Sequence, residues 1–134
     1  MKNFFYYWLP VLVYAGLIFY FSSLPTIPQP ILEIIPETFI LHMIEYAILS
    51  ILLFRALINS NNVLRNNVAL LAITIATLYG ITDEIHQLFV PGRVFSHFDI
   101  IANFIGSMFI LTKNIIPKNK LNFKRQLRIR SSPE

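Results

Sequence analysis

From the N-terminus onward, the chain alternates long apolar runs with short polar breaks. Four runs stand out: Phe4 to Phe21 (FFYYWLPVLVYAGLIFYF), Phe39 to Ile58 (FILHMIEYAILSILLFRALI), Val68 to Leu88 (VALLAITIATLYGITDEIHQL) and Phe98 to Ile116 (FDIIANFIGSMFILTKNII). Each approaches the roughly 20 residues that a helix needs to cross a hydrocarbon core. The breaks carry turn and polar residues: SSLPTIPQP, the Asn-rich NSNNVLRNN, VPGRVFSH, and a basic tail. The second to fourth runs contain no proline, and Pro10 lies near the start of the first, where it bends a helix at modest cost. The pattern predicts an all-α fold, a four-transmembrane-helix bundle. Lys2 followed by an apolar stretch also fits a cleaved signal peptide, but the run is long and no A-x-A site follows it, so an anchored helix is the better reading.

Composition supports a membrane solvent. Apolar residues make up 55% of the chain and charged ones only 13%, against about 25% charged in soluble domains. Mean hydropathy is positive. At 134 residues the chain is one domain, 1–134, ending in a basic tail over 113–134. There is no cysteine, which excludes a disulfide framework and a thiolate metal site.

The basic residues give an orientation. Lys2 precedes the first run, and Arg55 and Arg65 flank the Asn-rich break. Lys113, Lys118, Lys120, Lys124, Arg125, Arg128 and Arg130 fall at or after the end of the fourth run. The break after the first run has no cation, and the break after the third has only Arg93. The positive-inside bias therefore predicts a multi-pass protein of the cell membrane with both termini cytoplasmic. The tail is read as a topology determinant resting on anionic lipid. Nucleic acid is not an expected partner, because the charge abuts a membrane helix and no binding module is present.

Depth can then be estimated from a rise of about 1.5 Å per residue. Entering near Val68, the third run brings Asp83 about 22 Å up, into the outer third of a core about 30 Å thick. Asp99 and Asn103 lie within about 8 Å of the outer edge, on a run entering from outside. His42, Glu45 and Tyr46 fall in the same layer at i, i+3 and i+4, and Ser22 and Ser23 close the end of the first run. Asp83 and Gln87 share a face, as do Asp99 and Asn103. Ala72, Ala76 and Gly80 recur every four residues, a line that Glu84 continues, and Ala102 and Gly106 repeat the spacing. Such small-residue faces let membrane helices approach closely, so the polar groups are expected to point inward. Arg93 follows Pro91-Gly92, a turn that would return its guanidinium over the bundle mouth, to pair with Asp83 or Asp99 or to hold an anionic ligand.

These residues resemble a known family. The segment LYGITDEIHQLFVPGR…DIIANFIG, with Asp83, Glu84, Gln87, Arg93, Asp99, Asn103 and Gly106, is similar to the VanZ-like family of small bacterial membrane proteins. LHMIEYAIL, with His42 and Tyr46, and FSSLP extend the resemblance to about residues 8–112. Where the family often has an acidic-basic pair before the histidine, this chain has Thr38 and Phe39, so a second cation is missing. The resemblance implies an envelope role. The founding member is associated with resistance to the lipoglycopeptide teicoplanin.

The candidate binding set is therefore Ser22, His42, Glu45, Tyr46, Asp83, Glu84, Gln87, Arg93, Asp99 and Asn103. Intramembrane ionisable groups are functional candidates by default, with a purely structural clasp as the competing reading. The preferred function is binding or protecting a lipid-linked or cell-envelope amphiphile, with membrane lipids as the other partner. The alternative is a membrane-embedded enzyme, in which His42, Asp83, Glu84 and Asp99 exchange protons with a lipid or envelope precursor. No nucleophile–base pair is readable for it. Transport by so small a bundle would need a homo-oligomer. His42, Glu45, Glu84, His86, His97 and Asp99 are nitrogen and oxygen ligand types, but H-E-x-x-H is absent, and neither metal nor cofactor is expected. His86 is read as an interfacial hydrogen-bonding group and His97 as a loop residue in water.

Overall fold

A computed structural model describes residues 2–25, 37–59 and 67–111. Within them lie α1 (Lys2–Ser22), α2 (Glu37–Ile58), α3 (Val68–Gln87) and α4 (His97–Ser107), the last continuing into a 3₁₀ turn, Met108–Leu111. Every described element is helical. Three of the helices are long and apolar enough to cross a membrane, and His97–Leu111 is a shorter apolar helix. The fourth run thus carries fewer α-helical residues than its hydropathy predicts, and its expected end at Ile116 lies outside the described residues. So do Arg65, Thr38's side chain, the side chain of Lys2 and the basic tail.

Helix α2 is the hub and packs on α1, α3 and α4, while α3 and α4 also pack on each other. Its buried face reads Tyr46, Leu49, Ser50, Leu53, Ala56 and Leu57, a helical stripe. Opposite it, α3 buries Val68, Ala72, Ala76, Gly80 and Glu84, an i+4 ridge of mostly small side chains. A Cβ at Gly80 would lie 2.8 Å from Asn103 Nδ2 and 3.0 Å from Tyr46 Cε1. Gly80 is therefore the space into which those two side chains fit. Gly106 is tighter still, because a Cβ there would strike the backbone carbonyl of Met43.

The distribution of polarity is inverted relative to a soluble domain. Phe4, Leu12, Leu17, Phe19, Leu41, Leu70 and Leu78 are exposed, while Ser22, His42, Asp83, Glu84, Gln87, Asp99 and Asn103 are buried. With lipid tails as solvent, apolar side chains gain nothing by clustering, and hydrogen-bonding groups must find partners inside. Tyr79 Oη donates to Ala15 O at 2.7 Å and ties α3 to α1. Thr77 Oγ1 and Ser107 Oγ lie 3.3 Å apart between α3 and α4. At the end of α2 remote from His42, the Arg55 guanidinium sits 5.0 Å and 5.3 Å from the ring centres of Tyr6 and Tyr7. That places a cation among aromatics, as expected for an interfacial belt.

Candidate functional site

The polar end of the bundle is built by the junction of α3 and α4. After α3 the chain turns at Val90–Arg93, where Arg93 N–H donates to Val90 O at 3.1 Å. Pro91 and Gly92 occupy the centre, and Gly92 has φ 80°, the pairing of residues that a type II turn requires. Ser96 then caps α4: its Oγ accepts from Asp99 N–H at 3.2 Å. Its own N–H donates to Glu84 Oε2 at 3.1 Å. One residue thereby starts α4 and fastens it to α3. Sequence reasoning passed over Ser96, although S-x-x-D before an apolar run is a capping signal.

His42 is the junction of the interior cluster. Its Nδ1 lies 3.0 Å from Asn103 Oδ1, and its Nε2 lies 4.0 Å from Asp99 Oδ2. On α3, Gln87 Nε2 donates to Asp83 Oδ2 at 3.3 Å. Five buried polar atoms have no hydrogen-bond partner among the described residues: Ser22 Oγ, Tyr46 Oη, Asp83 Oδ1, Glu84 Oε1 and Asn103 Nδ2. An unpartnered buried polar group costs about 1–3 kcal/mol. Five at one level of one small bundle is a concentration of unmet demand, and helix packing alone does not call for it.

A pocket of about 130 Å³ opens at this level, lined by Ser22, His42, Glu45, Asp83, Gln87 and Arg93 on its polar side. Ile18, Phe21 and Leu41 form its apolar wall. Of the ten residues selected from sequence, these six meet at the pocket. Glu84, Asp99, Asn103 and Tyr46 lie buried in the interior, with Asn103 and Asp99 against His42. Glu45 and Arg93 are partly exposed.

Arg93 reaches the pocket, as the turn implied, but not to pair with a carboxylate. Its Nη2 donates to Phe21 O at 3.0 Å and its Nε to Leu24 O at 3.3 Å, rather than to Asp83 or Asp99. Phe21 O, which also accepts from Leu24 N–H at 3.2 Å, and Leu24 O lie at the exit of α1, and the turn at Pro91-Gly92 delivers a guanidinium to both. Two donations leave part of a five-donor fork facing the pocket. His86 bonds Ser23 Oγ at 3.0 Å and packs on Phe19. His97 is not a loop residue: it begins α4, exposed, with its ring against Phe95. Neither histidine joins the cluster.

The fully buried, unpartnered hydroxyl of Tyr46 yields a simple expectation. Tyr46→Phe should raise the thermal stability of ligand-free protein in detergent, by about 1 kcal/mol. A fall of similar size would mean that the hydroxyl is partnered in solution.

A helical membrane bundle with an inward-facing cluster of acids, amides and one histidine is the class this architecture defines. Residues 5–112 match the family model described as VanZ/LLP1, and the chain belongs to that family. Neither the curated proteins nor the solved structures give a match.

Proposed function

We propose that this protein is a multi-pass protein of the cell membrane that binds the polar head of an amphiphile at the outer leaflet, holding or shielding a lipid-linked or cell-envelope precursor. The observation that carries the reading is the pair of buried, unpartnered acceptors in the pocket wall, Ser22 Oγ and Asp83 Oδ1. They face a space also reached by Glu45 and Arg93. That lining favours a head bearing both a donor, such as an ammonium or hydroxyl group, and an anionic group for the guanidinium. Ile18, Phe21 and Leu41 supply an apolar wall continuous with the exposed apolar flank of α1, where an acyl or prenyl chain would lie.

Size narrows the ligand. Drug-sized ligands occupy pockets of about 300–1,000 Å³, so only the end of a headgroup enters here. A lipoglycopeptide is far too large. A link to teicoplanin-type resistance would therefore run through a membrane precursor and not through capture of the antibiotic. The orientation rests on the basic residues, which gather at the ends of the runs opposite Arg93.

Native mass spectrometry of the full chain, released gently from detergent, tests the proposal. Wild type should carry a co-purifying amphiphile that Asp83→Asn and Arg93→Ala both lose. Bare, folded wild-type protein that takes up no added anionic or zwitterionic lipid would overturn it.

The enzyme reading keeps one specific support, the fixed His42 ring with Nε2 turned toward Asp99. Under that reading, Asp99→Asn retains the bound amphiphile while any turnover of it stops.

A further inference from the structure

Glu84 and Asp99 do not line the headgroup pocket, and nothing in the proposed binding role uses them. With His42 they nonetheless form the tightest cluster of ligand-type side chains among the described residues: one donor atom from each lies within 4.8 Å of the others. We propose that His42, Glu84 and Asp99 bind a divalent first-row metal cation.

The convergence is tertiary. The three residues come from α2, α3 and α4, so no sequence proximity forces them together, and all three are buried, Glu84 completely. Three atoms so spaced have a point within about 2.8 Å of all of them, whereas bonds from Zn²⁺ to imidazole nitrogen or carboxylate oxygen are about 2.0–2.2 Å. Closing the difference takes less than an ångström of movement per side chain, within reach of a Glu or Asp rotamer adjustment.

Each ligand is also held from behind. Asn103 Oδ1 accepts from His42 Nδ1–H at 3.0 Å, which leaves the Nε2 lone pair facing Asp99. The Nε2–Oδ2 separation of 4.0 Å is too long for a hydrogen bond. It is a spacing that an interposed ion would shorten. Glu84 is fixed through Oε2 by the Ser96 N–H, while Oε1, buried in the same place, has no partner among the described residues. Asp99 sits in the first turn of α4, its backbone N–H held by Ser96 Oγ. In His42 and Glu84 one side-chain atom is anchored while the other makes no hydrogen bond to a described residue, the arrangement by which outer-shell partners orient metal ligands.

Charge and chemistry agree on the ion. Two carboxylates and a neutral imidazole carry two negative charges, which a divalent cation neutralises at a depth where isolated charge is costly. A nitrogen and oxygen set without sulfur suits Zn²⁺, Mn²⁺ or Fe²⁺. Three protein ligands leave at least one coordination position open, and His42 borders the pocket, so an exogenous oxygen could complete the shell from that side.

The full chain, stripped with chelator in detergent, would be titrated with Zn²⁺ alone and its metal content and thermal midpoint followed. One ion per chain and a raised midpoint are expected. Glu84→Gln and Asp99→Asn should each weaken binding at least about tenfold, while His97→Gln, exposed and outside the triad, keeps wild-type affinity. X-ray absorption of the wild-type zinc complex reads the shell without any variant and should show a single imidazole among oxygens. A folded wild type that takes up no stoichiometric Zn²⁺, or a bound ion without imidazole in its shell, would overturn the site. Amphiphile binding is probed by Asp83→Asn and Arg93→Ala, so failure of one proposal is distinguishable from failure of the other.

Discussion

Gly106→Ala should destabilise the bundle by about 3 kcal/mol or more, beyond the usual range for inserting one carbon into a packed interior. The added methyl would meet the carbonyl oxygen of Met43, along with its Cα and carbonyl carbon. A crowded side chain can rotate away, but a crowded backbone can move only if α4 backs off α2. Because α4 carries Asp99 and Asn103, that retreat also pulls both away from His42. Thermal unfolding in detergent, with Gly16→Ala as the comparison, reads the effect. Gly16 lies on α1, where an added Cβ would meet nothing within 4 Å, so its alanine variant should unfold no earlier than wild type. Equal midpoints for Gly106→Ala and wild type would show that α2 and α4 are not held in such close contact.

His42→Ala should cost about 3 kcal/mol, combining a cavity with the loss of a buried hydrogen-bonding partner. Asn103 Oδ1 would be left without its contact, joining an Nδ2 that already has none among the described residues. Asn103→Ala alone should cost less, since it removes the unpartnered Nδ2 together with Oδ1. The double variant isolates the pair: interhelical hydrogen bonds in membranes couple by about 0.6 kcal/mol on average and about 1.7 at most. A coupling near the upper value is expected for two buried groups. A coupling near zero would mean that His42 is held by something other than Asn103.

The sequence revealed the elements and the inward faces, and it did so for definite reasons. Apolar run length set α1, α2 and α3 to within a residue or two at most ends, because lipid permits few alternatives to a helix of that length. The spacing of Ala72, Ala76, Gly80 and Glu84 marked the packed ridge of α3, and all four are buried. Side-chain type at helical spacing also located the layer in which His42, Asp83, Asp99 and Asn103 lie. What stayed hidden depends on backbone atoms and on chain geometry. Arg93 satisfies carbonyls, which carry no sequence signature, and the double role of Ser96 needs the turn before it to be in place. The passage of α4 into a 3₁₀ turn at Met108 has no break in hydropathy to announce it. The division of the polar layer into a pocket and an interior triad is likewise tertiary, since His42 belongs to both.

The guanidinium at the end of α1 has a consequence for how the protein is made. Its acceptors, Phe21 O and Leu24 O, precede it by 72 and 69 residues. A ribosome finishing the first helix has yet to read most of the codons before the residue that will cap it. Until then Phe21 O keeps its local partner, Leu24 N–H at 3.2 Å, and the exit of α1 lacks its tie to the turn between α3 and α4 while the second and third helices are inserted. Biogenesis therefore has an order written into it: the helices enter first, and the mouth of the pocket is fastened only when the turn after the third arrives.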